Sequence, residues 1–428
     1  MIRAYPDEPT VEGAVLRLHV STDAERFRVR LYRQGATLRP MPLTSPWLDG
    51  VDVPARDCGE RWNWPAYTLQ LPAGLPNGAY VAQCIASERE PLLQTCDARA
   101  ATALFVLRRA PHSCLLLNLP LFTYHAYDIA QTDSLQSGEE GAYLYSGYRS
   151  VSLHRPGGGT GGHTWDARNA DAYDSASPRQ TFAHWDAQAI AWLEENGYTF
   201  DLCTDLDLHA GHIDAACRLL VAFGHQEYWT APMRATVERY LERGGNVAFF
   251  SGNTAWFRIR YDDSKAAIVR DGRWCDDDPE ERLTGVSYRF GGGLWRGDRP
   301  PTGYAARDAS HWVFEGTRLT NDEVFGAPER LIGYECDGYD PASPPILLAS
   351  ASLDAWRARI GGGEGLSGDG EVSGAGAAMV LLQRGKGVVF NAGTVDWPRV
   401  LATQEPSVER ITHNVIERLS GGLSGSAA

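Results

Sequence analysis

The sequence predicts an α/β protein: a mostly parallel sheet flanked by helices, preceded by a small all-β sandwich. Three observations predict it. Apolar and polar residues alternate with a period of two in the first 110 residues. From Ser113 onward continuous apolar runs replace that alternation, as expected of strands buried on both faces. Those runs then take turns with segments whose apolar residues fall at helical spacing, the pattern of a parallel sheet covered on both sides.

The alternating strands come first. Ala14 to Val20 and Phe27 to Tyr32 alternate, the second stopping at Gln34-Gly35. Tyr67 to Leu71 leads into the turn-rich Pro72 to Gly78, and Ala79 to Ile85 and Ala103 to Leu107 follow. Short strands at this spacing, separated by Gly and Pro, suit an immunoglobulin-like sandwich over residues 1–110. Arg108 to Ser113 reads as its linker. The α/β unit then spans 111–420. Cys114 to Asn118 is its first strand, and Asp186 to Asn196 a helix stopped by Gly197. Tyr198 to Leu202 and Leu219 to Phe223 are strands. Ala231 to Arg243 is a helix, with Pro232 in its first turn and Met233, Val237, Tyr240 and Leu241 along one face. Gly244-Gly245 ends it, and Asn246 to Phe250 is the next strand. Met379 to Leu382 and Gly387 to Phe390 are two late strands, and Val408 to Leu419 a closing helix. Gly157 to Arg179 reads as a mobile loop able to form part of a lid. Gly361 to Ala377 reads as an exposed low-complexity insertion, and 421–428 as a flexible tail.

Composition narrows the function. The chain has 428 residues and a formal net charge of −14. That balance argues against a general nucleic-acid binder and against docking on anionic lipid, since both need a basic face. No stretch reaches the roughly 18 apolar residues of a membrane span. The first residues lack an apolar signal core, so a cytoplasmic location is expected. The eight cysteines are scattered without a CxxC pair, which suits reduced thiols.

The sharpest constellation is Gly224-His225-Gln226-Glu227-Tyr228-Trp229. A buried strand stops at Gly224 and a helix begins near Thr230, so His225 and Glu227 lie at a strand's C-terminal end, where ligands gather in open α/β sheets. If the backbone stays extended, both point to the same side. An imidazole and a carboxylate together can bind a metal or act as general base with an orienting partner. Equally, Glu227 can cap the helix and His225 can bond a backbone carbonyl. The neighbouring strand ends at Ser251-Gly252-Asn253, which brings Asn253 near the pair; a loop Asn making an Asx-turn is the plainer reading. The first strand leads to Tyr127 and Asp128, and Tyr143-Leu-Tyr145 follows. Tyrosines at strand ends are usually packing residues, but as phenolates they are hard anionic donors that suit ferric iron. Thr204-Asp205-Leu-Asp207-Leu-His209 has a metal-like D-x-D-x-H spacing, or caps a helix. Glu335 or Asp337 of Gly333-Tyr-Glu-Cys-Asp-Gly338 can also reach the crevice. No G-x-S-x-G elbow is present, and no cysteine nucleophile follows the central strand.

In order along the chain, Ala126-Tyr-Asp128, Tyr143-Leu-Tyr145, Val151-Ser-Leu-His-Arg-Pro156, Trp192-Leu-Glu-Glu-Asn-Gly-Tyr198, Thr204 to His209, Gly224 to Trp229, Ser251-Gly-Asn253, Gly293-Leu-Trp-Arg296 and Gly333-Tyr-Glu335 resemble the C-terminal domain of the N,N-dimethylformamidase large subunit family, over about residues 113 to 420. The resemblance implies a fold related to class I glutamine amidotransferases, with flavodoxin-like topology and without their cysteine. It implies a mononuclear ferric iron held by two tyrosines and a glutamate: Glu227, Tyr127 and, by motif, Tyr145, with Tyr143 and Tyr148 as rivals. His225 and Asn253 match the neighbouring active-site residues. The implied activity is hydrolysis of the carbon–nitrogen bond of an amide or formamide, with His225 moving a proton and Asn253 bonding the developing oxyanion. The implied partner is a small amide, and a homo-oligomer is open to the chain because edge strands can pair. Two other readings stay open: a non-catalytic binding protein on a degenerate amidotransferase-like fold, and a zinc enzyme using His225, Glu227 and an Asp.

Overall fold

A computed structural model describes residues 1–88, 99–109, 113–128, 144, 150–158, 170–171, 174–178, 181–293, 299–356 and 376–422. Tyr145 and its rivals Tyr143 and Tyr148 lie outside the described residues, as do most of Gly157 to Arg179, most of Gly361 to Ala377 and most of the tail.

The centre is a nine-stranded sheet in the order Asp201–Thr204, Leu115–Leu119, Leu219–His225, Asn246–Gly252, Gly387–Asn391, Gly376–Arg384, Ile346–Ser352, Tyr304–Ala306, Val324–Phe325. The first five strands pair in parallel. Every pairing after them is antiparallel. A four-stranded sheet and a two-stranded one, Ser287–Gly293 with Glu335–Gly338, add further mixed and antiparallel pairing. Among the described residues, those in strands outnumber those in helices.

The expected fold class, a mostly parallel sheet flanked by helices, is therefore corrected: the chain is rich in β-structure and its sheets are mixed and antiparallel. The late strands show why. Only Gly385 and Lys386 separate Gly376–Arg384 from Gly387–Asn391. Two residues close a hairpin, whereas a parallel return needs a crossover of about a dozen. Gly385 has a φ of 55°, the left-handed value that such a turn requires.

The remaining elements follow their sequences. The helix Ala231–Glu242 starts at Thr230, whose side chain accepts from Met233 N at 3.3 Å. In the first third, a three-stranded sheet (Ile2–Pro6, Val15–Thr22, Ala66–Gln70) and a six-stranded one share a single cluster containing Leu16, Leu18, Val29, Leu31 and Phe105. The strand Gly78–Ile85 is buried at every position. Tyr80 and Cys84 face that cluster, while Ala79 and Val81 join the core that holds Leu117, Trp185 and Ile190. Ties of Arg33 to Glu194 (2.7 Å) and Asn77 to Asp201 (2.8 Å) cross the same boundary. Among the described residues no helix is long and apolar enough to cross a membrane.

Candidate active site

The parallel strands Leu219–His225 and Asn246–Gly252 run in register, with His225 opposite Gly252. Both end at the same rim. Gly224 has a φ of 64°, and a Cβ there would stand 2.7 Å from Trp185 Cβ, so only glycine lets the chain turn at this point. Gly252 is equally confined, since a Cβ would meet Val395 N at 2.7 Å. These close approaches deliver His225, Glu227 and Asn253 to one place.

His225 is fully buried. Its Nε2 is 2.9 Å from Glu335 Oε2 and 3.4 Å from Glu227 Oε2. Asn253 Nδ2 donates to Glu227 Oε1 and Glu335 Oε1, both at 3.1 Å, and lies 3.3 Å from His225 Nε2. An amide nitrogen has two protons. Both are taken, so Asn253 bridges the carboxylates and has none left for an oxyanion.

The Tyr127 ring packs on His225 and Tyr228, with centroids 5.6 and 5.9 Å apart. Its hydroxyl lies against the Glu227 carboxylate and is shielded from solvent. Thr123 couples these residues. Its Oγ1 accepts from Glu227 N at 3.0 Å, and its carbonyl from Tyr127 N at 3.2 Å.

Burial sets the charge states. It raises Glu227 to about 7, with His225 opposing and Glu335 adding to the rise. It pulls His225 down, but the carboxylates of Glu335 and Glu227 outweigh it and hold the imidazole above its ordinary value. Burial, then the charges of Glu227, Tyr228 and Glu335, push the Tyr127 phenol far up. Asp337 is raised by burial to about 7.

His225, Glu227, Asn253 and Tyr127 therefore come together in the structure. Glu335, offered by the sequence beside Asp337 as one of two acids able to reach the crevice, joins them. Thr123 had no signal, since a buried threonine in an apolar run looks like packing. Asp205, Asp207 and His209 do not converge. Asp207 closes a capping box with Thr204, Asp205 accepts from Phe122 N and Asn118, and His209 meets Thr230. Among the described residues no group of three or more His, Cys, Asp or Glu side chains stands so as to hold a metal ion. Tyrosine is the donor that the implied iron set adds. A groove of about 710 Å³, lined by Arg108, Ser113, His212 and Cys217, lies where the parallel strands begin, away from this cluster.

A family model described as N,N-dimethylformamidase beta subunit-like, C-terminal, matches residues 27–411. No curated protein matches the chain. Among solved structures it is similar to a thua-like protein from Bacteroides uniformis ATCC 8492, with a TM-score of 0.34 and 14% identity over 54% of this chain and 82% of that one. A likeness so slight bears on neither fold nor function.

Proposed function

Because the chain belongs to the N,N-dimethylformamidase beta subunit-like family, we propose that it is a hydrolase that cleaves the carbon–nitrogen bond of a small amide or formamide. One contact set carries the reading: a buried imidazole nitrogen 2.9 Å from one carboxylate and 3.4 Å from another. Amide hydrolysis takes a proton from the attacking water and delivers one to the leaving nitrogen. Glu335 Oε2 accepts the water's proton as the new carbon–oxygen bond forms. His225 Nε2 gives its proton to the nitrogen as the carbon–nitrogen bond breaks. The proton on Glu335 then crosses to His225 and restores the starting pair. Asn253 keeps the two carboxylates in place throughout.

Tyr127 and Glu227 fit the implied ferric ion. A phenol and a carboxylate side by side, shielded from water, are hard oxygen donors, and among the described residues Glu227 Oε2 faces the Tyr127 phenol and the imidazole with no amide or other hydroxyl donor assigned to it. These two would hold the ion, with Tyr145 as the second phenolate that the family resemblance supplies; zinc is the alternative metal. When bound, the metal supplies a Lewis acid that polarises the amide carbonyl.

The test is release of amine and carboxylate from formamide, acetamide and N,N-dimethylformamide by the purified protein, with bound metal measured in the same samples. The wild type is expected to turn over at least one amide and to contain iron with a tyrosinate charge-transfer band. His225→Gln and Glu335→Gln should lose at least about 100-fold in kcat. Tyr127→Phe and Glu227→Gln should lose the metal. Wild-type turnover in His225→Gln, or no turnover of any of the three amides by the wild type, overturns the reading.

A further inference from the structure

We propose that Asp337 is a positioning residue for this reaction, fixing the backbone of Asn253 so that its amide bridges the two carboxylates. The inference rests on the hydrolase reading and adds to it a residue that touches neither carboxylate.

Asp337 is fully buried on the strand Glu335–Gly338. It stands two residues from Glu335, so the two side chains leave the strand on the same face. Its Oδ1 accepts from Asn253 N at 2.9 Å and its Oδ2 from Thr254 N at 3.3 Å. Both oxygens thus serve two successive amides of one turn, an arrangement that grips the turn as a nest grips an anion. The turn needs gripping. Asn253 has a φ of 49° and Ala255 one of 56°, values that non-glycine residues hold only where their surroundings enforce them. On the far side Ala255 N donates to Gln226 O at 2.8 Å, which anchors the other end. The strand itself does not need the carboxylate, because Asp337 N already bonds Gly393 O at 2.9 Å.

The consequence is geometric. The Asn253 side chain is short, and its Nδ2 reaches both carboxylate oxygens at 3.1 Å only from this backbone position. A shift of about 1 Å, of the size that costs two orders of magnitude in rate at other sites, would break both bonds and release Glu227 and Glu335 from one another.

The experiment is a double-mutant cycle on the intact protein, with whichever of formamide, acetamide and N,N-dimethylformamide turns over fastest. Asn253→Ala and Asp337→Asn should each lower kcat about 10- to 100-fold with KM nearly unchanged. The double variant should be no slower than the slower single, because Asp337 acts only through Asn253. Thermal melting fixes the folded fraction, and Asp337→Ser replaces Asp337→Asn should the latter not fold. Losses that multiply, or wild-type kcat in the Asp337 variant, overturn the inference and leave the hydrolase reading standing. Wild-type kcat in Asn253→Ala overturns the role of Asn253 in that reading.

Discussion

Arg155 and Asp128 meet where neither side chain has any exposure, with Arg155 Nη1 3.4 Å from Asp128 Oδ2. Arg155 Nη2 also donates to the carbonyls of His125 at 2.9 Å and Asp128 at 2.8 Å. These contacts bracket Tyr127, so an arginine from the Val151–Pro156 segment secures the phenol that faces Glu227. Arg155→Met removes the cation and leaves a carboxylate buried. It should cost about 3–5 kcal/mol in urea unfolding, and Asp128→Asn in the same chain should recover part of the loss. A loss below about 1 kcal/mol would contradict a buried pair.

Asp186 gives a pH dependence of known sign. It is fully buried and accepts a hydrogen bond from the Tyr124 hydroxyl. Burial raises it to about 8, against roughly 3.9 in an unfolded chain. Between those values the folded form holds the extra proton, so its contribution to stability is complete below the lower value and is lost as pH climbs towards 8. Asp186→Asn resembles the protonated state and does not titrate. The variant should match the wild type only below about pH 4 and gain on it steadily from there to pH 8, read from urea midpoints at constant ionic strength. A gain towards acid instead would invert the sign and refute the argument.

Gly224→Ala tests how tightly the rim is built. The new methyl meets Trp185 Cβ at 2.7 Å on a backbone of positive φ. The expected cost is about 1–3 kcal/mol in unfolding free energy. Hydrolysis should also slow, because His225 is the next residue. A variant within about 0.5 kcal/mol of the wild type would show that the rim yields.

Thr204→Ala separates capping from metal binding in the Thr204 to His209 segment. Thr204 N and Oγ1 bond Asp207 Oδ2 at 2.8 and 3.0 Å. Removing the hydroxyl should cost about 1 kcal/mol and leave the measured metal content at the wild-type level, whatever that is. A drop in metal content would reopen the D-x-D-x-H reading.

The sequence was legible where one strand and its exit carry the information. The spacing of His225 and Glu227 placed both on one side, and the parallel neighbour brought Asn253 beside them. The sheet beyond Gly387–Asn391 was not legible from apolar runs, because such runs do not state strand direction; the two-residue turn at Gly385-Lys386 did. The division of labour between Glu335 and Asp337 was hidden for a different reason. Each acid is defined by partners from other strands, Glu335 by His225 and Asp337 by the amides of Asn253 and Thr254. No local pattern marks such partners.

The strand Gly78–Ile85 carries a consequence for how the polypeptide can be handled. With Tyr80 and Cys84 wedged into one greasy layer and Ala79 and Val81 into the other, the first third is the wall against which the rest of the chain is cast. A truncated gene product beginning near residue 113 would lose Ala79 and Val81 from the shared core and the ties of Arg33 to Glu194 and Asn77 to Asp201, and should precipitate, so the chain has to be made, folded and studied whole.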